Sequence, residues 1–266
     1  MASSLWNNIL LVRKQAPLVH NITNYVVMNN SANALLAIGA SPIMAHAPQE
    51  IEELSSICQA LVINIGTLDE IWVKSMLQAA IKANDFKKPF VLDPVGAGAT
   101  RYRDETLSQL LALKPTVIRG NASEILALAK LQQTQTKGVD STAQSQEAIA
   151  AARLLNSQYG AIVCISGQTD IIISNDAHIE IYNGNELMTK VTGLGCSATA
   201  IIGAFIAVIE HKVEAVAAAT ALMSIAGEIA AQTANGPGSL QMQLLDKLHT
   251  ISESEFEQHL KFQSLS

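Results

Sequence analysis

The segment 60-ALVINIGTLDEIWVKSMLQAAIKANDFKKPFVLDPVG-96 contains two short apolar runs that enclose a longer segment with helical periodicity. Both runs are apolar on the two faces of an extended chain, which is typical of parallel strands buried on both sides. Thr67 and Glu70 have the spacing of a capping box, where the helical segment is expected to begin. The segment therefore predicts a βαβ unit.

The same alternation recurs on both sides of this unit. Apolar runs predict further strands at 40–45, 115–121 and 161–167. Helical patterns fill the segments around them: 24–39, 48–60, 104–113 and 144–160. Two β-rich runs within 169–185 predict an antiparallel hairpin. From about residue 190 onward the pattern is almost entirely helical, and no convincing strand follows.

Composition excludes several classes of protein. No linker-like segment divides the 266 residues, so we expect 1–266 to form a single α/β domain. A net charge of −6 without a stripe of Lys or Arg argues against nucleic acid and anionic membranes as partners. Apolar stretches such as 200–210 are too short to span a bilayer. Three cysteines without a CxxC pair indicate free thiols in a cytoplasmic protein.

Hydrophobic residues make up 49% of the chain, which is high for a soluble monomer. An oligomer interface would explain the excess, because obligate interfaces are more apolar than ordinary surface. An alanine-rich core buried on both faces of the sheet would explain it equally well.

The stretch 192-TGLGCSATA-200 opens a predicted helix. It matches the looser dinucleotide fingerprint G-x-G-x-x-A, but that fingerprint requires a second parallel strand after the helix. An anion site fits better, because the first N–H groups of a helix point outward and glycines allow close approach of a phosphate. A tightly packed helix start without a ligand is the remaining alternative.

Two further loops follow buried strands. Asp93 lies in 92-LDPVGAGATRYR-103, where it could hold Mg²⁺ or cap the next turn. In 118-IRGNASEILAL-128, Arg119 is placed to meet a phosphate, whereas Asn121 and Glu124 have the spacing of a capping box. Glu124 could instead reach a hydrated magnesium ion.

Five segments together resemble the hydroxyethylthiazole kinase family, which has the ribokinase fold. They are 20-HNITNYVVMN-29, 43-IMAHAPQE-50, 93-DPVGAGAT-100, 119-RGNASE-124 and 192-TGLGCSATA-200. The HNITN and DPVGAG motifs are specific, whereas N-x-x-E is shared across the wider kinase fold. The resemblance implies a three-layer α/β fold with a mainly parallel central sheet flanked by helices and an all-helical C-terminal part.

The resemblance also implies an activity and its site. The activity is ATP-dependent phosphorylation of 4-methyl-5-(2-hydroxyethyl)thiazole in thiamine biosynthesis, with Mg²⁺, in a cytoplasmic homotrimer whose substrate site lies near a subunit interface. Six positions match residues that contact the two substrates: Arg119, Ser166 and Gly195 for ATP, and Met44, Gly193 and Asn24 for the thiazole alcohol. Asp93 and Glu124 match positions that handle magnesium and phosphate, directly or through water.

Cys196 falls where most ribokinase-fold sugar kinases carry an aspartate base. The acceptor alcohol must lose its proton, and a thiol with a pKa near 8.5 is mostly protonated at neutral pH. A loose transition state needs little deprotonation before attack, so a modest base can suffice. We therefore expect Cys196 to be the catalytic residue of the loop.

Other functions stay open at this point. A kinase of the same fold acting on hydroxymethylpyrimidine or pyridoxal would share the ATP loops but lack HNITN and G-C-S. A ribokinase-like hydrate dehydratase would use a nucleotide without this acceptor. A hydrolase with Cys196 as nucleophile would need a supporting histidine motif, and none is recognisable. His20 and His46 are expected to make ordinary hydrogen bonds rather than to take part in catalysis.

The predicted helix that follows HNITN has an unusual polar face. Asn29, Asn30 and Asn33 lie on that face, although asparagine is a poor residue for a helix interior. Either these side chains have hydrogen-bonding partners in a pocket or the face is solvated.

Overall fold

The computed structural model describes residues 2–131 and 141–265. Within them, the strands are β1 (Leu18–Ile22), β2 (Ser41–Ile43), β3 (Ala60–Asn64), β4 (Phe90–Asp93), β5 (Val117–Asn121), β6 (Ile162–Ser166), β7 (Asp170–Ile173), β8 (His178–Ile181) and β9 (Phe262–Leu265). The helices are α1 (Ala2–Gln15), α2 (Met28–Ala37), α3 (Ile51–Ile57), α4 (Glu70–Asp85), α5 (Arg101–Ala112), α6 (Ala122–Lys130), α7 (Ser141–Tyr159), α8 (Leu194–Val208), α9 (Lys212–Ala231), α10 (Pro237–Thr250) and α11 (Glu253–His259).

One sheet organises the fold, with the strand order β2-β1-β3-β4-β5-β6-β7-β8-β9. The pairs from β2 to β6 are all parallel, and β7, β8 and β9 pair antiparallel. The mainly parallel sheet and the hairpin within 169–185 are therefore confirmed. The carboxyl ends of β3, β4, β5 and β6 lie side by side, which is where open α/β sheets bind ligands.

Two apolar layers cover the faces of the sheet. One contains residues of α1, α2, α8, α9 and α10, including Phe205 and Leu222. The other contains residues of α4, α5, α6 and α7, including Trp72 and Leu110. Each face of the sheet thus carries a helical layer, as the three-layer fold requires.

Two strands depart from the predictions. The expectation that the C-terminal part is all helical is wrong, because β9 follows α11 and pairs with β8 through Ile181 and Phe262. β1 was not predicted, because His20 and Asn21 interrupt its apolar pattern although both are buried. β9 is an antiparallel edge strand, so α8 still leads to no second parallel strand among the described residues, and the dinucleotide alternative fails.

Two local expectations are corrected. Helix α4 begins at Glu70 and is capped by Asp69, whose Oδ1 accepts from the N–H groups of Ile71 and Trp72 at 2.9 Å each. Thr67 is not the cap; its hydroxyl accepts from the Tyr25 N–H at 3.1 Å. Helix α9 is long and apolar enough to cross a membrane by length and composition, contrary to expectation, but 78% of its apolar window is buried inside the protein.

Candidate active site

Polar side chains meet at the carboxyl ends of the central strands, below the first turn of α8. Asn64 ends β3, Asp93 ends β4, Arg119 lies in β5 and Ser166 ends β6. Arg103 of α5 holds the two loops after β3 and β4 together, because its guanidinium donates to the carbonyls of Ile65, Val95 and Gly66 at 2.6, 2.6 and 2.9 Å. The three loops singled out by sequence are also adjacent in space, because the Gly96 N–H donates to Glu124 and Gly195 lies against Arg119.

A chain of buried hydrogen bonds runs from Cys196 to Asp93. Asn24 Nδ2 lies 3.6 Å from Cys196 Sγ and donates to Asn64 Oδ1 at 2.8 Å. Asn64 Nδ2 in turn donates to Asp93 Oδ2 at 2.7 Å. Thr199 of α8 donates to the same oxygen at 2.8 Å. We call Cys196, Asn24, Asn64, Asp93 and Thr199 the buried polar chain.

Asp93 is only 2% exposed, and burial raises the pKa of its carboxyl to about 6. The nearby charge of Arg119 and the hydrogen bonds from Thr199 and Asn64 oppose that rise, whereas the charge of Glu124 adds to it. The carboxylate accepts from residues of β3 and α8, not from the turn after β4. The turn-capping alternative for Asp93 therefore does not hold.

Cys196 lies in the first turn of α8 and is partly buried. Burial, together with the charge of Asp93, raises the pKa of its thiol to about 11. The thiol is consequently protonated at neutral pH. Cys58 and Cys164 are buried free thiols, as expected.

Glu124 combines a structural task with a position close to Asp93. Its Oε2 accepts from the Asn121 N–H at 2.9 Å and completes the capping box of α6, so that alternative is confirmed. Its Oε1 accepts from the Gly96 N–H of the DPVGAG loop at 3.0 Å. The side chain therefore joins the loops after β4 and β5.

Asp93 and Glu124 fit magnesium held mainly through water. Within the described part of the chain, no group of three or more His, Cys, Asp or Glu side chains could hold a metal ion. Magnesium is commonly bound by one or two carboxylates, several waters and substrate phosphates. A carboxylate pair close enough to interact meets that requirement without a complete protein cage.

Arg119 faces the start of α8, and its guanidinium has no hydrogen-bond or ion-pair partner among residues 2–131 and 141–265. A Cβ atom added to Gly195 would lie 2.8 Å from its Nη1. Burial raises the pKa of Asp170 and of Asp93, and the positive charge of Arg119 partly offsets both rises. The guanidinium thus lies between two carboxylates and remains free to bind an anion.

A cleft of about 790 Å³ extends from Arg119 and Gly195 along the sheet. Ser166 lines it, as do Asp170 and Ser224. Its far end is formed by Tyr182, Asn183, Gly184, Asn185, Glu186, Met188 and Thr189. One end therefore offers a cation and helix N–H groups, and the other offers polar groups, among them the Glu186 carboxylate, and apolar surface. The cleft is large enough for a drug-sized ligand.

The segment that contains HNITN packs against the TGLGC loop at the start of α8, on the side of α8 opposite the cleft. Gly193 caps α8 with φ 82, and an added Cβ would lie 2.6 Å from Val27 Cγ1 and 3.3 Å from Asn30 Nδ2. Only glycine satisfies both the backbone angle and this contact without strain. Met44 is half-buried just beyond β2, at the edge of the sheet. Asn24 is 4% exposed, and its amide is engaged inside the protein, which favours a positioning role.

The asparagines on the polar face of α2 do not all follow one alternative, since one has a partner on another helix and two form an exposed pair. Asn30 accepts a hydrogen bond from Gln241 of α10 at 3.1 Å. Asn33 donates to Asn29 at 2.9 Å in an exposed pair. His20 Nε2 hydrogen-bonds the Ala45 carbonyl at 2.9 Å, and the His46 ring packs tilted against the ring of Trp72, with 4.5 Å between their centroids. His20 thus makes the expected hydrogen bond, whereas the buried Nδ1 of His46 has no hydrogen-bond partner among the described residues.

Three residues of the site were not predicted. Asn64 could have been found, because it is the one polar residue in the apolar run ALVIN. Thr199 and Asp170 have no such signal. Thr199 reaches Asp93 across 106 residues of sequence, and Asp170 lines the cleft from the first position of β7.

Comparison with known proteins agrees with this geometry. A model of the hydroxyethylthiazole kinase family matches residues 9–254. The hydroxyethylthiazole kinase of Syntrophus aciditrophicus is 56% identical over 257 residues, which cover 96% of this chain and 95% of that protein. That of Vibrio parahaemolyticus is 53% identical, and the match covers 95% of each chain.

Solved structures extend the comparison to the fold. The structure of a hydroxyethylthiazole kinase protein from Pyrococcus horikoshii OT3 superposes with a TM-score of 0.92 at 40% identity, covering 99% of this chain and 100% of that one. Pyridoxal kinase from Staphylococcus aureus superposes with a TM-score of 0.68 at 17% identity, covering 94% of this chain and 98% of that one, which shows a shared fold. On the family match and the identity over nearly the whole chain, the protein belongs to the hydroxyethylthiazole kinase family.

Proposed function

We propose that the protein transfers the γ-phosphoryl group of ATP to the hydroxyl of 4-methyl-5-(2-hydroxyethyl)thiazole, a step of thiamine salvage or biosynthesis. The observation that carries this proposal is the position of the TGLGC loop. It opens α8 between the cleft containing Arg119 on one side and the HNITN segment on the other. A phosphate at this helix start would lie between the two proposed substrate sites.

ATP would occupy the 790 Å³ cleft, with its phosphates at the Arg119 end. Arg119 would bind phosphate oxygens with two parallel N–H groups, and the first N–H groups of α8 at Gly195 would add the helix-dipole contribution. Ser166 would contribute a hydroxyl from the wall of the cleft. These groups stabilise the charge of the transferring phosphoryl group without moving during the reaction.

Magnesium, when bound, would neutralise phosphate charge and orient the γ-phosphoryl group. Asp93 and Glu124 would hold it through water. Asp93 is mostly ionised at neutral pH, because its pKa of about 6 lies below 7. Thr199 and Asn64 both donate to one oxygen, Oδ2, and so fix the orientation of the carboxylate.

The thiazole alcohol would bind beside Met44 and Gly193, with its hydroxyl next to Cys196, which the buried amide of Asn24 would help to position. A thiol with a pKa of about 11 provides only a small thiolate population at neutral pH. A loose transition state tolerates such a weak base, since the hydroxyl proton leaves late. Cys196 would therefore assist the reaction without being indispensable.

Assembly into a cytoplasmic homotrimer would complete the substrate site. Met44 follows β2, an edge strand, and Tyr25 and Val26 next to the HNITN motif are 60% and 62% exposed. Ile71 is 61% exposed, and the neighbouring Trp72 has its ring tilted against that of Tyr25, with 4.5 Å between their centroids. Large exposed apolar side chains at one edge of a sheet are typical of a protein interface.

An ATP-turnover assay tests the proposal. The purified protein is incubated with ATP and Mg²⁺, alone or with thiazole alcohol, hydroxymethylpyrimidine or pyridoxal. We expect ADP and a phosphorylated product only with the thiazole alcohol. Phosphorylation of another alcohol in preference to it would assign a different acceptor, and thiazole-independent ester hydrolysis that is lost on alkylation of Cys196 would support the hydrolase alternative.

A further inference from the structure

The far end of the cleft is formed by a loop that has no regular structure of its own. Residues 182–185 connect β8 to the short 3₁₀ helix Glu186–Lys190, and Tyr182, Asn183, Gly184 and Asn185 all line the cleft. A binding wall of this kind depends on whatever holds its backbone. We call residues 182–185 the wall loop.

The contacts that hold the wall loop come from α9 and from the C-terminal segment. Asn183 is 4% exposed, and its Nδ2 donates to Glu228 Oε2 at 3.0 Å and to the His259 carbonyl at 2.7 Å. Its Oδ1 accepts from the Lys261 N–H at 2.9 Å. The Gly184 N–H also donates to Glu228 Oε2, at 3.3 Å. All the polar atoms of the Asn183 side chain are thus engaged.

Glu228 is the centre of this network. Besides the two wall-loop donors, its Oε1 accepts from Lys261 Nζ at 2.8 Å and faces His259 Nδ1 at 3.3 Å. Burial alone would raise the pKa of Glu228, but the hydrogen bonds from Lys261, Asn183, His259 and Gly184 lower it to about 2. The carboxylate therefore stays ionised over the whole working range of pH, and its acceptor role is constant.

We propose that Glu228 is a positioning residue for the nucleoside half of ATP. It acts by fixing Asn183 and Gly184, which form part of the wall of the cleft. This inference rests on the proposed function, because it takes the cleft as the ATP site. Arg119 and Gly195 lie at the opposite end, so the two ends of the nucleotide are held by separate groups. Loosening the wall loop would lower the fraction of protein that is competent to bind the nucleoside.

The test uses Glu228→Gln, which keeps the shape of the side chain but places an NH₂ group opposite the donors Lys261 and His259. We expect KM for ATP to rise about 5- to 20-fold, with kcat at saturating ATP within about twofold and KM for the thiazole alcohol unchanged. Inhibition by adenosine should weaken in parallel with KM for ATP. Inhibition by inorganic tripolyphosphate should not change, since it probes the Arg119 end.

Glu255→Gln is the matched control. Glu255 also has a pKa lowered to about 2, by hydrogen bonds from Lys247 and from the Ser252 N–H, but it has no contact with the wall loop. This variant should keep the wild-type KM for ATP even where its melting temperature falls. Equal effects of both variants, or equal weakening of adenosine and tripolyphosphate inhibition, would reduce Glu228 to a general stabilising role and overturn the proposal.

A second variant covers the case in which Glu228→Gln does not fold. Lys261→Met removes one donor to Glu228 from a side chain that is 58% exposed, and we expect a two- to threefold rise in KM for ATP, on the scale of a surface ion pair. An unchanged KM would overturn the inference. Wild-type protein without any ATP-dependent phosphorylation would instead refute the proposed function. Adenosine binding measured by calorimetry would then decide the inference: no binding to the wild type, or equally strong binding to Glu228→Gln, would contradict it.

Discussion

Replacing Gly195 with alanine tests the contact between the glycine loop and Arg119. The added Cβ would lie 2.8 Å from Arg119 Nη1, so the guanidinium must retreat by about 0.6 Å to reach the 3.4 Å of ordinary contact. Displacements approaching 1 Å cost up to about 100-fold when reacting groups lose alignment. We therefore expect kcat/KM for ATP to fall about 10- to 100-fold.

The same substitution should leave the fold intact. Gly195 is the second residue of α8 and does not need a positive φ, and alanine is a better helix residue than glycine by about 0.5–1 kcal/mol. The melting temperature should therefore stay constant or rise by about 1–3 °C. Loss of activity without loss of stability separates displacement of Arg119 from misfolding.

Gly238 offers a matched control, because it is the second residue of α10 and an alanine Cβ there would have no atom within 4 Å. Gly238→Ala should have wild-type kinetics. Arg119→Lys should lower kcat/KM by the equivalent of about 1–3 kcal/mol of activation free energy, because a lysine ammonium cannot replace the two parallel hydrogen bonds of a guanidinium. Wild-type kinetics in a folded Gly195→Ala protein would refute the assignment of Arg119 and Gly195 to ATP phosphates.

Three further predictions concern catalysis and assembly. Cys196→Ala should retain activity with a loss of about 10-fold, below the usual contribution of about 10²- to 10⁴-fold from an acid–base group, because the thiol pKa is about 11. Cys196→Asp should keep or exceed wild-type kcat, and a well-folded Asp variant as inactive as Ala would exclude the base role. The rate should fall below pH 6 as Asp93 is protonated. The pKa of Asp93 in the folded protein lies above its usual value near 3.9, so ionisation of Asp93 opposes folding between about pH 4 and 6 and its protonation does not unfold the protein. Melting curves should therefore show a folded protein where the rate is lost in acid. A rate that stays unchanged down to pH 5 would contradict this prediction. Activity should fall on dilution as the trimer dissociates, with saturating thiazole alcohol opposing the loss, and sedimentation of a fully active monomer would exclude a shared site.

The parallel core of the fold was predictable because each strand carries its own signal. β3, β4 and β6 are apolar runs buried almost throughout. β1 lacked this signal, because its His20 is buried through a bond to the Ala45 carbonyl that only the folded chain provides. β9 is four residues of FQSL with little burial, and it becomes a strand only because β8 offers an edge.

The site was predictable at the level of loops and less so at the level of contacts. Glycine spacing indicated the start of α8, and N-x-x-E indicated the capping box of Asn121 and Glu124. The link between Asn24 and Cys196 spans 172 residues, and no local pattern encodes such a contact. The roles of Arg119, Ser166, Met44 and the other assigned residues stay predictions until the variants are measured.

The amides within the buried polar chain have a consequence for proton movement. Asn24 and Asn64 join Cys196 to Asp93 by direct hydrogen bonds, yet a carboxamide neither gains nor loses a proton in the pH range of proteins. The link therefore fixes the orientation of both side chains without carrying a proton between them, although the charge of Asp93 still raises the pKa of the Cys196 thiol. A proton taken from the alcohol at Cys196 cannot be handed through this chain to Asp93, and it must leave with the product or through solvent.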